Sequence, residues 1–298
     1  MDEPVAGEST APGRIERLVD AGKSVIPPLT LLSALLFYFG YVSARAKYEY
    51  FGVDVDTIGL GTQDYVMRSP EPLLTPLLVF TAAGLGAVAV HAAVRQRIRT
   101  AARMRRLGRG VQAAGLSALI GGLLLLVGYV FLRDWPLYGL VTPLLIAIGG
   151  VLFQYGTAIR LPPRAAGDSP PASSLHRSFV VLVYLVIAVS VFWMTATVAQ
   201  WSGRGLAMYE ASRLDKLPSV ILDTKESLFL RSPGVQETKL PLSDGQTFHY
   251  RYRHLRLLIH GKDRMFLVPD QWSASNSTII VPLDGSVRVQ FQFQNRRP

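Results

Sequence analysis

The chain of 298 residues is 49% hydrophobic and only 17% charged, whereas charged residues make up about 25% of an average soluble domain. It contains no cysteine, which excludes a disulfide framework, a thiolate metal site and a thiol nucleophile. The formal net charge of +10 is typical of chains that contact nucleic acid or an anionic membrane surface, and the placement of the charges separates these two classes.

Residues 1–24 are polar and rich in Ala, Gly, Glu and Pro, a composition that predicts a flexible tail. Beyond them, five windows contain no Asp, Glu, Lys or Arg. Each is close to the roughly 20 apolar residues that a helix needs to cross a bilayer. Because hydrocarbon leaves no partner for an unpaired backbone group, the windows predict transmembrane helices. They are residues 25–44, 73–94, 111–132, 138–158 and 179–200.

The connection between the first two spans, residues 45–72, mixes aromatic residues, glycines and acids. Its aromatic residues suit a membrane interface, where a ring meets the lipid headgroups. They are Tyr48, Tyr50, Phe51 and Tyr65. Residues 62–68 predict a short interfacial helix. The carboxylates Asp54, Asp56 and Asp64 are interpreted as turn and cap residues, because the spacing lacks the rest of a calcium-loop pattern.

The connection between the second and third spans, residues 95–110, carries seven arginines and no acid. It is short, has no interleaved aromatic residues and matches no nucleic-acid-binding fold, so no nucleic-acid partner is predicted. Its arginines are interpreted as a topology anchor that also contacts anionic lipid headgroups. They are Arg95, Arg97, Arg99, Arg103, Arg105, Arg106 and Arg109.

Lys and Arg in the short connections predict the orientation, because cytoplasmic loops are enriched in them. Residues 1–24, 95–110 and 159–178 together hold 13 of these residues, whereas residues 45–72 and 133–137 hold 4. The N-terminus is therefore predicted to be cytoplasmic, and five crossings place the C-terminal domain outside the cytoplasm.

Residues 202–298 have the pattern of an all-β domain. Residues 286–294 alternate strictly, so Val287, Val289, Phe291 and Phe293 are expected on one buried face. Residues 255–269 predict a hairpin around a Gly-Lys-Asp turn. Further strands are expected at residues 219–224, 227–232 and 277–283. A small sandwich or barrel is the expected structure. It is expected to bind another protein, such as an envelope protein, or another envelope component.

Catalytic and metal-binding interpretations find little support. Ser117, in a G-x-S-x string, and His91 would form the dyad of an intramembrane serine hydrolase if their side chains were hydrogen-bonded. The rest of the rhomboid-type pattern is missing. His249, His254 and His260 have a spacing that opposes a shared zinc site on one strand. No cofactor or metal is predicted.

Two features of the spans bear on transport and packing. The polar residues Thr142, Gln154, Ser190 and Thr195 are the candidates for a path through the bundle. No ionisable residue lies deep in a span, which argues against an ion-coupled transporter. Glycines within the spans predict close helix packing. They are Gly84, Gly86, Gly121, Gly149 and Gly150.

Residues 38–69 (YFGYVSARAKYEYFGVDVDTIGLGTQDYVMRS) and 250–272 (YRYRHLRLLIHGKDRMFLVPDQW) resemble segments of uncharacterised multi-pass membrane proteins of actinobacteria. This resemblance implies a bacterial plasma-membrane location and brings no activity with it. The leading hypothesis is a non-enzymatic membrane protein whose helical bundle anchors an extracytoplasmic β-domain with a binding, accessory or sensing role. The alternatives are a channel or permease for an uncharged solute and the intramembrane hydrolase.

Overall fold

The computed structural model describes residues 14–97, 100–160, 174–241, 245–273 and 275–292. Within these residues, five helices are long and apolar enough to cross a membrane. They are α1 (Arg14–Tyr50), α4 (Pro70–Arg97), α5 (Ala101–Val127), α7 (Tyr138–Arg160) and α8 (Ser174–Ala211). The predicted combination of five apolar helices and a C-terminal β-domain is confirmed.

Three short helices lie in the connections. They are α2 (Val55–Ile58), α3 (Thr62–Arg68) and α6 (Tyr129–Leu132). Helix α3 occupies the residues predicted for the short helix between the first two spans. A one-turn 3-10 helix, Leu214–Lys216, follows α8.

Helices α1 and α8 are longer than their apolar windows. Residues 14–24, predicted as part of a flexible tail, belong to α1, which ends only at Tyr50. Helix α8 continues to Ala211 and therefore into the region predicted to begin the β-domain. No glycine or proline interrupts α1 between Val42 and Tyr50, and the first left-handed residue after it is Gly52, with φ 72°. Both helices thus extend beyond the apolar layer on the same side.

Helices α5 and α7 pack closely because small residues recur every seven positions on the facing surfaces, which is nearly two helical turns. A Cβ added at Gly115 would lie 2.5 Å from the Phe153 nitrogen, and one at Gly149 would lie 2.7 Å from the Leu119 nitrogen. The residues of this contact are Gly108, Gly115 and Gly122 of α5, and Gly149 and Gly156 of α7.

The packing prediction is confirmed for Gly149 and for Gly150, whose added Cβ would lie 2.8 Å from the Ile187 side chain. It is wrong for Gly84, Gly86 and Gly121, because no heavy atom of the described residues lies within 4 Å of a Cβ added there. The spacing of small residues in the sequence does not identify which side of a span faces another helix, because lipid and neighbouring helices are equally apolar.

The C-terminal domain is a six-stranded antiparallel sheet rather than the expected sandwich or barrel. Its strand order is β5-β4-β3-β1-β6, and β2 pairs with the start of β3. The strands are β1 (Ser219–Thr224), β2 (Gln236–Lys239), β3 (Tyr250–His260), β4 (Arg264–Pro269), β5 (Ile279–Pro282) and β6 (Val287–Phe291). The hairpin predicted at residues 255–269 is β3–β4.

Two expectations for the strands are wrong. Residues 227–232 form a loop, in which Phe229 has a left-handed φ of 49° rather than the extended backbone of a regular strand. Phe291, expected on the buried face of the last strand, is 58% exposed, because β6 is an edge strand and its end extends past the core. Phe293 lies outside the described residues.

Each face of the sheet covers its own hydrophobic cluster. On β4, the alternate residues Met265 and Leu267 belong to one cluster, whereas Phe266 and Val268 belong to the other. The first cluster is internal to the domain and is closed over by the loop after β1. The second, which we call the junction core, joins the sheet to the helices.

Candidate functional site

The junction core unites three separate stretches of the chain. Tyr48, Phe51 and Tyr65, expected at the membrane interface, are buried in it with at most 5% of their surface exposed. The full cluster comprises Ala44, Tyr48, Phe51, Val53, Val55, Ile58 and Tyr65, then Ala207 and Leu214, and finally Leu258, Ile259, Phe266 and Val268. The predicted interfacial loop is therefore the central packing layer between helices and sheet.

Polar contacts reinforce the junction core. The Thr278 hydroxyl donates to the Phe51 carbonyl at 2.6 Å, and the Lys262 backbone N–H donates to the Ile58 carbonyl at 3.3 Å. Between the helices, Lys47 Nζ lies 2.6 Å from Glu210 Oε1 in a mostly buried ion pair. The hydroxyl of Tyr48 accepts a hydrogen bond from Arg68 at 2.8 Å.

Two glycines allow the backbones at the junction to touch. A Cβ on Gly40 would lie 2.0 Å from the Tyr65 carbonyl oxygen, and a Cβ on Gly203 would lie 2.0 Å from that of Ser43. Helix α1 therefore meets both the middle of α3 and helix α8 at distances that no residue other than glycine permits. The β-domain is held by three chain segments rather than by one linker.

A loop on the opposite side of the sheet presents an exposed aromatic residue. Phe229 is 81% exposed and has a φ of 49°, a combination that is rare for a bulky residue. Hydrogen bonds hold this backbone: the Leu228 N–H donates to the Tyr252 hydroxyl at 2.7 Å, and the Phe229 N–H donates to Ser227 Oγ at 3.2 Å. Leu230 packs against the internal core of the sheet.

The conformation of Phe229 has an energetic cost without a benefit to folding. A non-glycine residue in a sparsely populated backbone region costs about 1–3 kcal/mol, and an exposed ring gains nothing from burial. Gly or Asn would fit the left-handed conformation better. Aromatic residues are enriched at protein interfaces, so the loop 225–235 is the best candidate for a binding surface in the described part of the β-domain.

A charged row crosses the sheet. The fully buried Asp223 accepts bonds from Arg251 at 2.8 and 3.0 Å and from Arg288 at 2.6 and 3.0 Å. Burial alone would raise the pKa of Asp223, but the bonds and charges of the two guanidinium groups outweigh it and lower the pKa. Asp223 on β1 lies directly opposite Arg251 on β3 and Arg288 on β6. The cluster therefore joins three neighbouring strands and stabilises the sheet.

The arginine-rich connection is exposed. Arg95 and Arg97 lie in the last turn of α4, where a cation is favourable to the helix dipole. Four further arginines lie in the first three turns of α5, of which Arg103 is in the first turn, where the dipole disfavours a cation. Among the described residues none of the six has an ion-pair partner. These four are Arg103, Arg105, Arg106 and Arg109; Arg99 lies outside the described residues. Their placement is not explained by helix stability.

The candidate dyad is not assembled. His91 Nδ1 lies 2.8 Å from the hydroxyl of Tyr155 on α7 and lines a cavity of about 420 Å³ with Arg95. Ser117 is exposed on α5. His91 therefore has a phenol rather than a serine as its partner, and nothing in this geometry activates a nucleophile.

The remaining histidines and the loop carboxylates have structural contacts. His254 pairs with Asp270 at 3.0 Å, and His249 lies against the Lys225 carbonyl, whereas His260 is exposed at the end of β3. Asp54 accepts the Asp56 N–H, Asp56 accepts the Tyr41 hydroxyl, and Asp64 accepts the Gly61 N–H. Within the described residues, no group of three His, Cys, Asp or Glu could hold a metal ion.

The polar residues of the spans do not form one path. Thr142 and Gln154 each leave a buried side-chain atom without a partner in the described structure. They are twelve positions apart on α7, so about 18 Å separates them along the helix axis. Thr195 donates to its own helix at Val191, and Ser190 is buried on α8.

No family model, curated protein or solved structure matches this chain. The fold itself therefore defines the class: a membrane protein with five apolar helices and a β-domain joined to them through a shared core.

Proposed function

We propose that this chain is a non-enzymatic protein of a bacterial, and specifically actinobacterial, plasma membrane that holds a binding domain at a fixed position outside the cytoplasm. The junction core supports the fixed position, because a flexible tether would not need three buried segments. The Phe229 loop is proposed as the contact for another envelope protein. The observation that carries this proposal is the strained, exposed aromatic residue in a loop that hydrogen bonds hold in place.

The proposed binding can be separated from folding by Phe229→Asn. Asparagine tolerates the left-handed backbone, so the thermal midpoint of the full-length protein should stay constant or rise. Binding should be lost, because the apolar anchor is removed. A photoreactive benzoylphenylalanine at position 229, expressed in the native host, should give a discrete crosslinked product that mass spectrometry identifies.

The exposed Phe291 on β6 provides the matched control, because it is aromatic and lies in the same domain without backbone strain. The identified partner should bind purified wild-type protein and fail to bind Phe229→Asn. A specific crosslink at 291 with none at 229, or undiminished binding by Phe229→Asn, would disprove the assignment of the loop.

The orientation is proposed from the charge asymmetry of the connections, with the N-terminus in the cytoplasm. Because the chain lacks cysteine, single cysteines report accessibility without background. In intact cells, a membrane-impermeant thiol reagent should label Asp134→Cys and Lys239→Cys but not Arg105→Cys. All three positions are exposed, so each should react after permeabilisation. Labelling of position 105 alone in intact cells would show that the orientation is the opposite of the one proposed.

A further inference from the structure

Two adjoining cavities form a groove between helices α1 and α8 on the β-domain side. The lower cavity, of about 540 Å³, is lined by residues that include Tyr38, Val42 and Trp193. The upper cavity, of about 480 Å³, is lined by Ala46, Glu49, Tyr50, Gln200 and Arg204. Ala46, Glu49 and Gln200 line both, so the groove is continuous from an aromatic end to a charged end.

The level of the groove relative to the apolar layer follows from one hydrogen bond. The Thr197 hydroxyl donates to the Gly139 carbonyl at 2.9 Å, and Gly139 is the second residue of α7, so Thr197 lies where the apolar helices end. Gln200 and Arg204 follow by three and seven residues, or about 4.5 and 10.5 Å along the axis. The headgroup layer of one leaflet is about 5–8 Å thick.

The charged end therefore lies at headgroup level, and the long Arg204 side chain can reach down into it. The aromatic end lies at the depth of the first acyl carbons. Tyr38 stacks on Phe192 with ring centroids 5.0 Å apart, and Trp193 lies beside Tyr138. Such rings are typical of the boundary between headgroups and hydrocarbon.

The groove is lined by two cations, Arg45 and Arg204, and by one carboxylate, Glu49, and an ion pair within α1 joins Arg45 to Glu49. Arg45 Nε donates to Glu49 Oε1 at 2.8 Å, so one oxygen of Glu49 is used within α1. Among the described residues, no carboxylate lies within ion-pair distance of Arg204. Arg204 and Glu49 line the same cavity without contacting each other, which leaves room for a ligand between them.

We propose that this groove binds an aminophospholipid of the leaflet on the β-domain side. The phosphate diester pairs with Arg204, because a guanidinium group is suited to phosphate oxygens. The primary ammonium group pairs with the free oxygen of Glu49, and one acyl chain lies along Tyr38 and Trp193. This site requires only that the helices span the membrane and does not depend on the partner proposed for the Phe229 loop.

Native mass spectrometry of the full-length protein with defined lipids tests the proposal. In mild detergent with equal amounts of phosphatidylethanolamine, phosphatidylcholine and phosphatidylglycerol, the wild-type protein should retain mainly phosphatidylethanolamine. Arg204→Gln should lower its retention roughly tenfold, since a charged hydrogen-bonding partner is lost. Glu49→Gln should retain phosphatidylglycerol as well as phosphatidylethanolamine. The matched control is Arg133→Gln, because Arg133 is exposed on the same side and outside the groove.

The soluble headgroup glycerophosphoethanolamine, added as a competitor, distinguishes a lipid from a free phosphate ligand. It should not displace the bound lipid at equal concentration, because it lacks the acyl chain that occupies the aromatic end. Equal displacement would overturn the proposal in favour of a soluble ligand. Equal retention of the three lipids by the wild-type protein, or equal losses in Arg204→Gln and Arg133→Gln, would overturn it as well.

Discussion

Gly203→Ala is expected to destabilise the junction between helices and sheet. The effect should be larger than that of a glycine-to-alanine change at a position without a close neighbour. The added Cβ would lie 2.0 Å from the Ser43 carbonyl oxygen and 3.0 Å from its Cα, and both belong to backbone that cannot rotate away. Helices α1 and α8 must separate, which disturbs the Lys47–Glu210 ion pair above this contact. Overpacking of this kind costs about 1–3 kcal/mol, and more where the backbone must shift.

The matched control is Gly205→Ala on the same helix. In the described part of the chain, no heavy atom lies within 4 Å of a Cβ added at position 205. Alanine is also favoured over glycine in a helix by roughly 1 kcal/mol. Thermal unfolding of the full-length protein, followed by tryptophan fluorescence, should show a lower midpoint for Gly203→Ala and an unchanged or higher one for Gly205→Ala. Equal midpoints for the two variants would show that the helices are not in contact there.

Asp223→Asn is expected to destabilise the sheet by about 1.5–3 kcal/mol, because the buried side chain loses its charged hydrogen bonds while solvent partly screens the two arginines. The amide leaves Arg251 and Arg288 close together without the charge that compensates them. The control is Asp263→Asn, because Asp263 binds Arg264 in the same two-bond geometry at the surface, where solvent screens the pair. Only the first variant should lower the midpoint by on the order of 10 °C.

The pH dependence has a defined sign. Because the pKa of Asp223 is lower in the folded protein than its ordinary value, its stabilisation is complete above the unfolded pKa of about 3.9. It is lost as the pH falls below that value toward the folded pKa. The stability difference between wild-type protein and Asp223→Asn should therefore shrink on acidification below about pH 4. A constant difference through this range would contradict the charged state of Asp223.

The spans and several strands could be predicted because their signals are local. An uncharged window of about 20 residues identifies a span whatever the helix packs against. In the same way, the alternation of Val287 and Val289 with Arg288 and Gln290 identifies β6. The short helix at residues 62–68 was also predicted from its own composition. For these elements, a residue and its near neighbours in the sequence carry the information.

The junction core could not be predicted because its partners are far apart in the chain. Tyr48, Phe51 and Tyr65 have the composition of an interfacial aromatic belt, and only contact with Phe266 and Val268 distinguishes the two environments. The same holds for Gly203, since a glycine inside an apolar helix gives no sign of what touches it. Phe229 was interpreted as part of a strand because its neighbours are apolar, and its backbone conformation depends on Tyr252 and Ser227.

The junction core is expected to fix the β-domain to the membrane helices. Spin labels at Ile148 on α7 and Arg253 on β3, both exposed, measure this directly by double electron–electron resonance in lipid nanodiscs. The reference pair, Arg253 with Ile280, lies within the sheet. The distance distribution between helices and sheet should be nearly as narrow as the reference, and Gly203→Ala should broaden it while Gly205→Ala does not. A wild-type distribution several times broader than the reference would contradict the account.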